Sequence, residues 1–414
     1  MEGETTAGRI GPSERLLLAL IVALPLMKPP VRGEIIAADL LFLLLAVSLA
    51  AEILSGRRRV SWLRSFTPIA VYVAALAPSL MAASDLGMSL FKYATEFYLA
   101  GLALITAQIV GDEASFRRAV LAWLAGTAIA CVVGLAGLLA FATGWAPALL
   151  DYASFGFGSL PPGHYPRLSL TFLNANMACN YLTVSLGLLL IAGQRGYLPR
   201  PAWWALLAGI AVASMSTLSA GLGGVPLLGG LWAWLRRRYV SPLLALAALL
   251  AGTAIALLVV AALAVTVVPY PAPFVLHLGG HSLYASGRVL TWTAAAAQFV
   301  RHPLFGIGIG IAPVDVHYPN PSGYLEPLTD AHNIVLSIAA QSGIVGLLGL
   351  AAVVAFVVRH TGGTLRMTVL GLTFLDVFLY QGLGGSFEDA RHIWVLLGLF
   401  IAAARLDPHP RGWK

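Results

Sequence analysis

Charge is scarce in this sequence. Charged residues make up 10% of its 414 residues, against about 25% in a soluble domain. Hydrophobic residues make up 59%, and the mean hydropathy is +0.84. That balance excludes an ordinary soluble globular chain. Cysteine is scarcer still: Cys131 and Cys179 both lie in apolar runs. This excludes a disulfide framework or a cysteine metal site and leaves two small buried residues. The strict apolar–polar alternation of a membrane β-barrel is missing. The net charge of +7 comes from short basic clusters between apolar runs, a pattern that does not point to nucleic acid. No small-residue cleavage site follows the first apolar run, Leu16–Met27, so that run is expected to persist as a span. There is no convincing internal repeat.

What the sequence has is apolar runs of about 20 residues, each long enough to cross a bilayer. The expectation is an all-α, polytopic membrane protein with about 12 transmembrane helices, residues 1–414 forming one membrane domain. The spans are read at Arg15–Met27, Ile35–Leu54, Phe66–Ala83, Ser89–Val110, Phe116–Thr143, Thr171–Gly193, Ala202–Ser219, Leu222–Leu235, Pro242–Val268, Ala331–Val358, Met367–Gln381 and Arg391–Ala404. Two extended polar segments interrupt them, Gly144–Leu170 and Pro269–Asp330. The small residues Ser219–Gly224 fit a closely packed helix hairpin.

Lysine and arginine set the orientation, because they concentrate on the cytoplasmic side. With the N-terminus inside, the outer side keeps Lys28, Arg32, Lys92, Arg167, Arg288, Arg301 and Arg391, and the other eighteen of the 25 lie inside. Both termini are then cytoplasmic, and both long polar segments face outward.

The few outer cations can be weighed singly. Arg288 follows Ser286-Gly287 and opens a stretch that reads as an amphipathic helix at the membrane surface, from the candidate N-cap Ser286 to about His302, where Pro303 stops it. Trp292 and Phe299 share its face. A cation in a helix's first turn adds to the free N–H groups that already favour phosphate. The bland alternative is an arginine meeting lipid headgroups. Arg301, at the far end, complements the helix dipole. Arg167 leads into the sixth span, where Asn174 and Asn176 need polar partners at membrane depth. Lys92 and Glu96, four apart, either pair or line a polar groove; Asp39 and Asp376 are weaker cases of the same kind. His332 is expected in the first turn of the tenth helix, capped by Asp330 or Thr329. There the helix N-terminus keeps imidazole neutral and fit to act as a base, and a polar residue snorkelling at a helix end fits as well. Gly306–Gly310 reads as a close-packed turn after Pro303, since no strand–helix context makes it a dinucleotide fingerprint. Asp315 and His317 lack further ligands nearby, so the chemistry is expected to be metal-independent, with no cofactor.

These residues resemble a known family. Ser286-Gly287-Arg288 with Trp292, His302-Pro303-Leu304-Phe305-Gly306-Ile307-Gly308, and His332-Asn333 followed after nine residues by Gly343-Ile344-Val345-Gly346 are similar to the region shared by O-antigen ligases, O-antigen polymerases and related bacterial oligosaccharyltransferases. Arg167 with Thr171-Phe172 and Asn176 resembles an element that precedes it, and the likeness runs over residues 167–346. Ala175 stands where proline is usual, and Ser219-Ala220 where the family often has Ser-Arg. The resemblance implies glycan transfer from an undecaprenyl-diphosphate carrier to an acceptor at the periplasmic face of a bacterial inner membrane. For a ligase the acceptor is lipid A–core; for a polymerase it is another lipid-linked repeat. It makes His332 and Arg288 the candidate catalytic residues, and Arg167, Lys92, Asn176, Asn333 and Arg391 the candidate substrate contacts. A transporter of lipid-linked glycan is the rival from another class, and it would call for inverted repeats and broken spans.

Overall fold

The computed structural model describes residues 10–28, 30, 35–60, 64–158, 165–223, 275–278, 281–284, 287–319, 325–385 and 390–407. The ninth expected span, nearly all of the eighth and the candidate cap Ser286 lie outside them. The described chain is mostly helical. Its helices are α1 (Pro12–Ala23), α2 (Ala37–Leu54), α3 (Thr67–Leu76), α4 (Leu86–Ile109), α5 (Glu113–Thr143), α6 (Ala175–Gln194), α7 (Arg200–Ser216), α8 (Gly287–Arg301), α9 (Ile334–His360), α10 (Leu365–Leu375) and α11 (Arg391–Leu406). Four of these, α2, α5, α6 and α9, are long and apolar enough to cross a membrane. Helices also stand at the first, third, fourth, seventh, eleventh and twelfth expected spans.

Local chemistry sets where several helices begin. Asp85, Asp112, Asn174, Asn333 and Thr364 are N-caps whose side-chain oxygens accept backbone N–H groups of the first turn, each contributing about 1 kcal/mol. Packing then sorts the helices. α1 lies against α2 and α5, α3 against α9, α4 against α11, and α6 against α5, α7 and α10. Small residues allow the close crossings: a Cβ on Gly126 of α5 would stand 2.6 Å from the Val22 carbonyl oxygen of α1, and one on Gly398 of α11 would stand 2.6 Å from that of Ala103 in α4. Van der Waals contact at such crossings is a main source of helix association in lipid.

The all-α expectation needs one correction. The two long polar segments contain antiparallel hairpins: β1 (Ser154–Gly158) with β2 (Tyr165–Leu170), β3 (Val275–Leu278) with β4 (His281–Tyr284), and β5 (Val316–Pro319) with β6 (Leu325–Leu328). Backbone that leaves the bilayer no longer has to satisfy every polar group within a helix, and these short runs pair with each other instead. α8 turns one face to the protein. Thr291 and Ala295, one turn apart, are fully buried, and the helix is docked on α9.

Candidate active site

Two features of α9 organise the site. The first is its start. Asn333, not Asp330 or Thr329, is the N-cap, and its Oδ1 accepts from the backbone N–H of Val335 and of Leu336, both at 3.1 Å. His332 therefore precedes the helix instead of lying in its first turn. Its backbone is left-handed, with φ of 49°, a conformation uncommon for a residue with a side chain. Asp330 holds it there: one carboxylate oxygen accepts the His332 backbone N–H at 3.1 Å, and the other lies 3.1 Å from Nδ1. The turn thus orients a half-exposed imidazole by its Nδ1 edge and leaves Nε2 facing away from that contact.

The second feature is a break. Gly343, with φ of 63° and ψ of −160°, interrupts α9. The turn after Pro303 fits into the gap. Ile307 and Gly308 donate backbone N–H groups to the carbonyls of Ala340 and Gln341, and Ile344 and Val345 donate to Pro303 and Leu304. The orphaned groups on both sides of the break are satisfied by one inserted loop. A Cβ on Gly343 would stand 2.3 Å from the Leu304 carbonyl carbon, and one on Gly306 would stand 2.3 Å from that of Gln341. Glycine is required at both places by backbone-to-backbone approach. The ten-residue step from Asn333 to Gly343 is thus the distance from the capped start of α9 to the loop that follows α8.

Arg288 and Arg167 converge beside this start. Arg167, on β2, donates its Nε to the Thr217 carbonyl at 3.0 Å and its Nη2 to Asn176 Oδ1 at 2.9 Å; Ser219 Oγ donates to the same Oδ1 at 2.9 Å. Arg288 comes from the first turn of α8. Thr291 Oγ1 lies 3.0 Å from the Arg288 carbonyl and 3.2 Å from that of Ala331, so Arg288 and His332 share a neighbourhood. A Cβ on Gly384 would stand 3.3 Å from Arg288 Nη1, and the adjacent Leu383 carbonyl accepts from Asn333 Nδ2 at 3.3 Å. No carboxylate pairs with Arg288 among the described residues. Burial, and then the like charge of Arg167, push its pKa below the usual arginine value. Two guanidiniums near enough for one to feel the charge of the other, in a half-buried setting, favour an anion.

The remaining sequence candidates are each engaged by other groups of the protein. Arg391 grips Asp39 with Nε at 2.7 Å and Nη2 at 3.0 Å, with Tyr98 OH 3.2 Å from Nε. Lys92 lies 3.5 Å from Glu96. It lines a cavity of about 10 Å³ with Tyr72, Ile309, Ser337 and Gln341, room for about one water. The polar atoms of Asn333 are committed to the cap and to Leu383. Asn176 serves Arg167 directly, and it is reached through Ser219, a residue whose small size alone drew notice in the sequence. Gln381 sits below this cluster, its Nε2 donating to Thr183 Oγ1 at 3.1 Å and reaching Asp376 Oδ2 at 3.4 Å. Asp376 and Gln381 are both buried. An acid within an apolar run was the available signal for Asp376; for Gln381 there was none. Among the described residues no three His, Cys, Asp or Glu side chains come together as metal ligands would.

No curated protein is a significant match to the chain. The family model described as O-antigen ligase matches residues 202–351. That stretch contains Arg288, the inserted turn, His332, the Asn333 cap and the Gly343 break, and over it the chain is similar to the O-antigen ligase family.

Proposed function

We propose that the chain transfers a glycan from an undecaprenyl-diphosphate carrier to a sugar hydroxyl of lipid A–core, at the periplasmic face of the bacterial inner membrane. The observation that carries this reading is the arginine pair, with no carboxylate on Arg288 among the described residues and His332 close by. A diphosphate is already a good leaving group. Catalysis then needs cations on the departing oxygens and a base on the attacking hydroxyl. The acceptor oxygen attacks the anomeric carbon, the bond from that carbon to the phosphate oxygen breaks, and undecaprenyl diphosphate leaves with its new negative charge against Arg288 and Arg167. With Nδ1–H donating to Asp330, His332 Nε2 carries the lone pair that takes the hydroxyl proton. No step calls for a metal.

The family match serves a polymerase of O-antigen or exopolysaccharide equally, with the end of a second lipid-linked repeat as acceptor. Purified protein in proteoliposomes, given the lipid-linked glycan and lipid A–core, separates the readings by product. Glycan on lipid A–core supports the ligase, and lengthened lipid-linked glycan supports the polymerase. Carrier movement across the bilayer with no transfer would overturn both. Activity is expected to survive EDTA, and a loss reversed by a divalent ion would show that the chemistry uses a metal.

A further inference from the structure

At the end of the bundle opposite the arginine pair, the start of α5 and the turn between α6 and α7 line an open cavity of about 570 Å³. Its lining includes Glu113, Arg117, Arg118, Leu121, Arg195 and Tyr197. The charges there are unequally committed. Glu113 is taken by Arg366 and by the Tyr197 hydroxyl, both at 2.6 Å, and Arg118 by Glu14 at 2.6 Å. Arg195 is only loosely held, 3.8 Å from Glu113 and 3.8 Å from Asp407. Arg117 makes no ion pair among the described residues; its guanidinium lies 5.7 Å from the centre of the Tyr197 ring. Two under-used guanidiniums thus face one cavity.

The second observation says what kind of anion fits. From Arg117 an apolar stripe at helical spacing runs up α5 through Leu121, Ala125, Ile129, Val132, Ala136 and Leu139. Ile129, Val132 and Leu139 are 42%, 67% and 55% exposed. A soluble phosphate would have no use for this stripe. We infer that the cavity holds the headgroup of an anionic phospholipid, its phosphate against Arg117 and Arg195 and an acyl chain along the exposed face of α5. Basic pockets between membrane helices bind acidic lipids in this way, each arginine contributing about a fivefold gain in affinity.

The test is native mass spectrometry of the full-length protein in mild detergent, titrated with phosphatidylglycerol, with phosphatidylcholine and inorganic phosphate as separate arms. Phosphatidylglycerol is expected to bind saturably, while phosphatidylcholine binds weakly and excess phosphate neither binds nor competes. Arg117→Ala breaks no ion pair and is expected to weaken phosphatidylglycerol binding about fivefold, and Arg117→Ala/Arg195→Ala more than tenfold. Arg57→Ala/Arg59→Ala removes exposed arginines that do not line the cavity and is expected to leave binding unchanged. Equal binding by wild type and Arg117→Ala would overturn the inference. So would an equal loss in the Arg57/Arg59 control, or phosphate competing as well as the lipid.

Discussion

The two ends of this bundle treat an arginine in opposite ways. Arg366 is 1% exposed and fully answered. Its Nε and Nη2 grip both oxygens of Asp407, its Nη1 reaches Glu113 at 2.6 Å, and it lies 4.8 Å from the centre of the Phe116 ring. Arg288 has another arginine near it and, among the described residues, no acid. Charge taken from water without an opposite charge is costly, so a folded chain keeps such a group only where something else meets it. Arg366 ties α10 to the end of α11 and the start of α5. Arg288 is left to be neutralised by a ligand. The contrast separates a cation that holds the fold from one that awaits an anion, and substitutions at each should divide along that line.

The largest effect is expected at the uncompensated end. Arg288→Ala should lower transfer about 10²- to 10³-fold, the loss typical of one oxyanion-stabilising group, while the apparent melting temperature stays near that of the wild type. Arg288→Lys should recover only part, because an ammonium lacks the planar fork. His332→Ala should cost about 10²-fold or more in the transfer rate. Asp330→Asn should cost less, about tenfold, because it releases the imidazole without removing it. Steady-state transfer assays beside thermal unfolding check all four. A variant that keeps full activity, or one that loses fold and activity together, would break the contrast.

How far the sequence disclosed this contrast depends on the kind of fact. Apolar runs disclosed the helices, since crossing a bilayer demands length and hydrophobicity that nothing else in a chain supplies. Arg288, Arg167 and His332 were legible because ionisable residues stand out against such a background. Their partners were not. Asp39 meets Arg391 across 352 positions and Glu113 meets Arg366 across 253, and no local pattern encodes such pairs. Nor did spacing show that Asn333 would take the cap and push His332 out of the helix, since Thr329, Asp330 and Asn333 are all capable caps. The hairpins were missed for a related reason: outside the membrane, short polar runs carry weak periodicity.

The compensated end should show the reverse behaviour. Arg366→Ala should lower stability by about 3 kcal/mol, read as an apparent melting temperature, while protein that remains folded keeps its transfer rate. The same contact gives a pH signature. Burial alone would raise the pKa of the Asp407 carboxyl, but hydrogen bonds from Arg366 and Thr364 and the charges of Arg366 and Arg195 outweigh it and hold the pKa down. Glu113 is lowered against the same burial penalty by Tyr197 and Arg366. A carboxyl whose pKa is lower folded than unfolded contributes stability above its unfolded value, about 4, and loses it as pH falls through the folded value. The melting temperature should therefore hold from neutral pH down to about 5 and drop below about 4. In Arg366→Ala that acid drop should shrink, because the cation that held the carboxyls down is gone.

Lys92 lies between the two cases and gives the smallest expected effect. Its partner Glu96 has a side chain only 2% exposed, at 3.5 Å, so the pair resembles the Arg366 cluster in kind but is looser. Removing one member leaves the other in an apolar setting, whereas removing both leaves nothing unanswered. Lys92→Met and Glu96→Gln should each lower the melting temperature, and the double variant should recover most of that loss. If Lys92 is a structural cation, transfer by the double variant should stay within about threefold of wild type, a change of under about 1 kcal/mol. A stable double variant that had lost transfer would move Lys92 to the side of Arg288. It would show that a cation can keep an acid within reach and still serve the diphosphate, and the rule drawn from the two arginines would then need distance, not pairing alone, as its criterion.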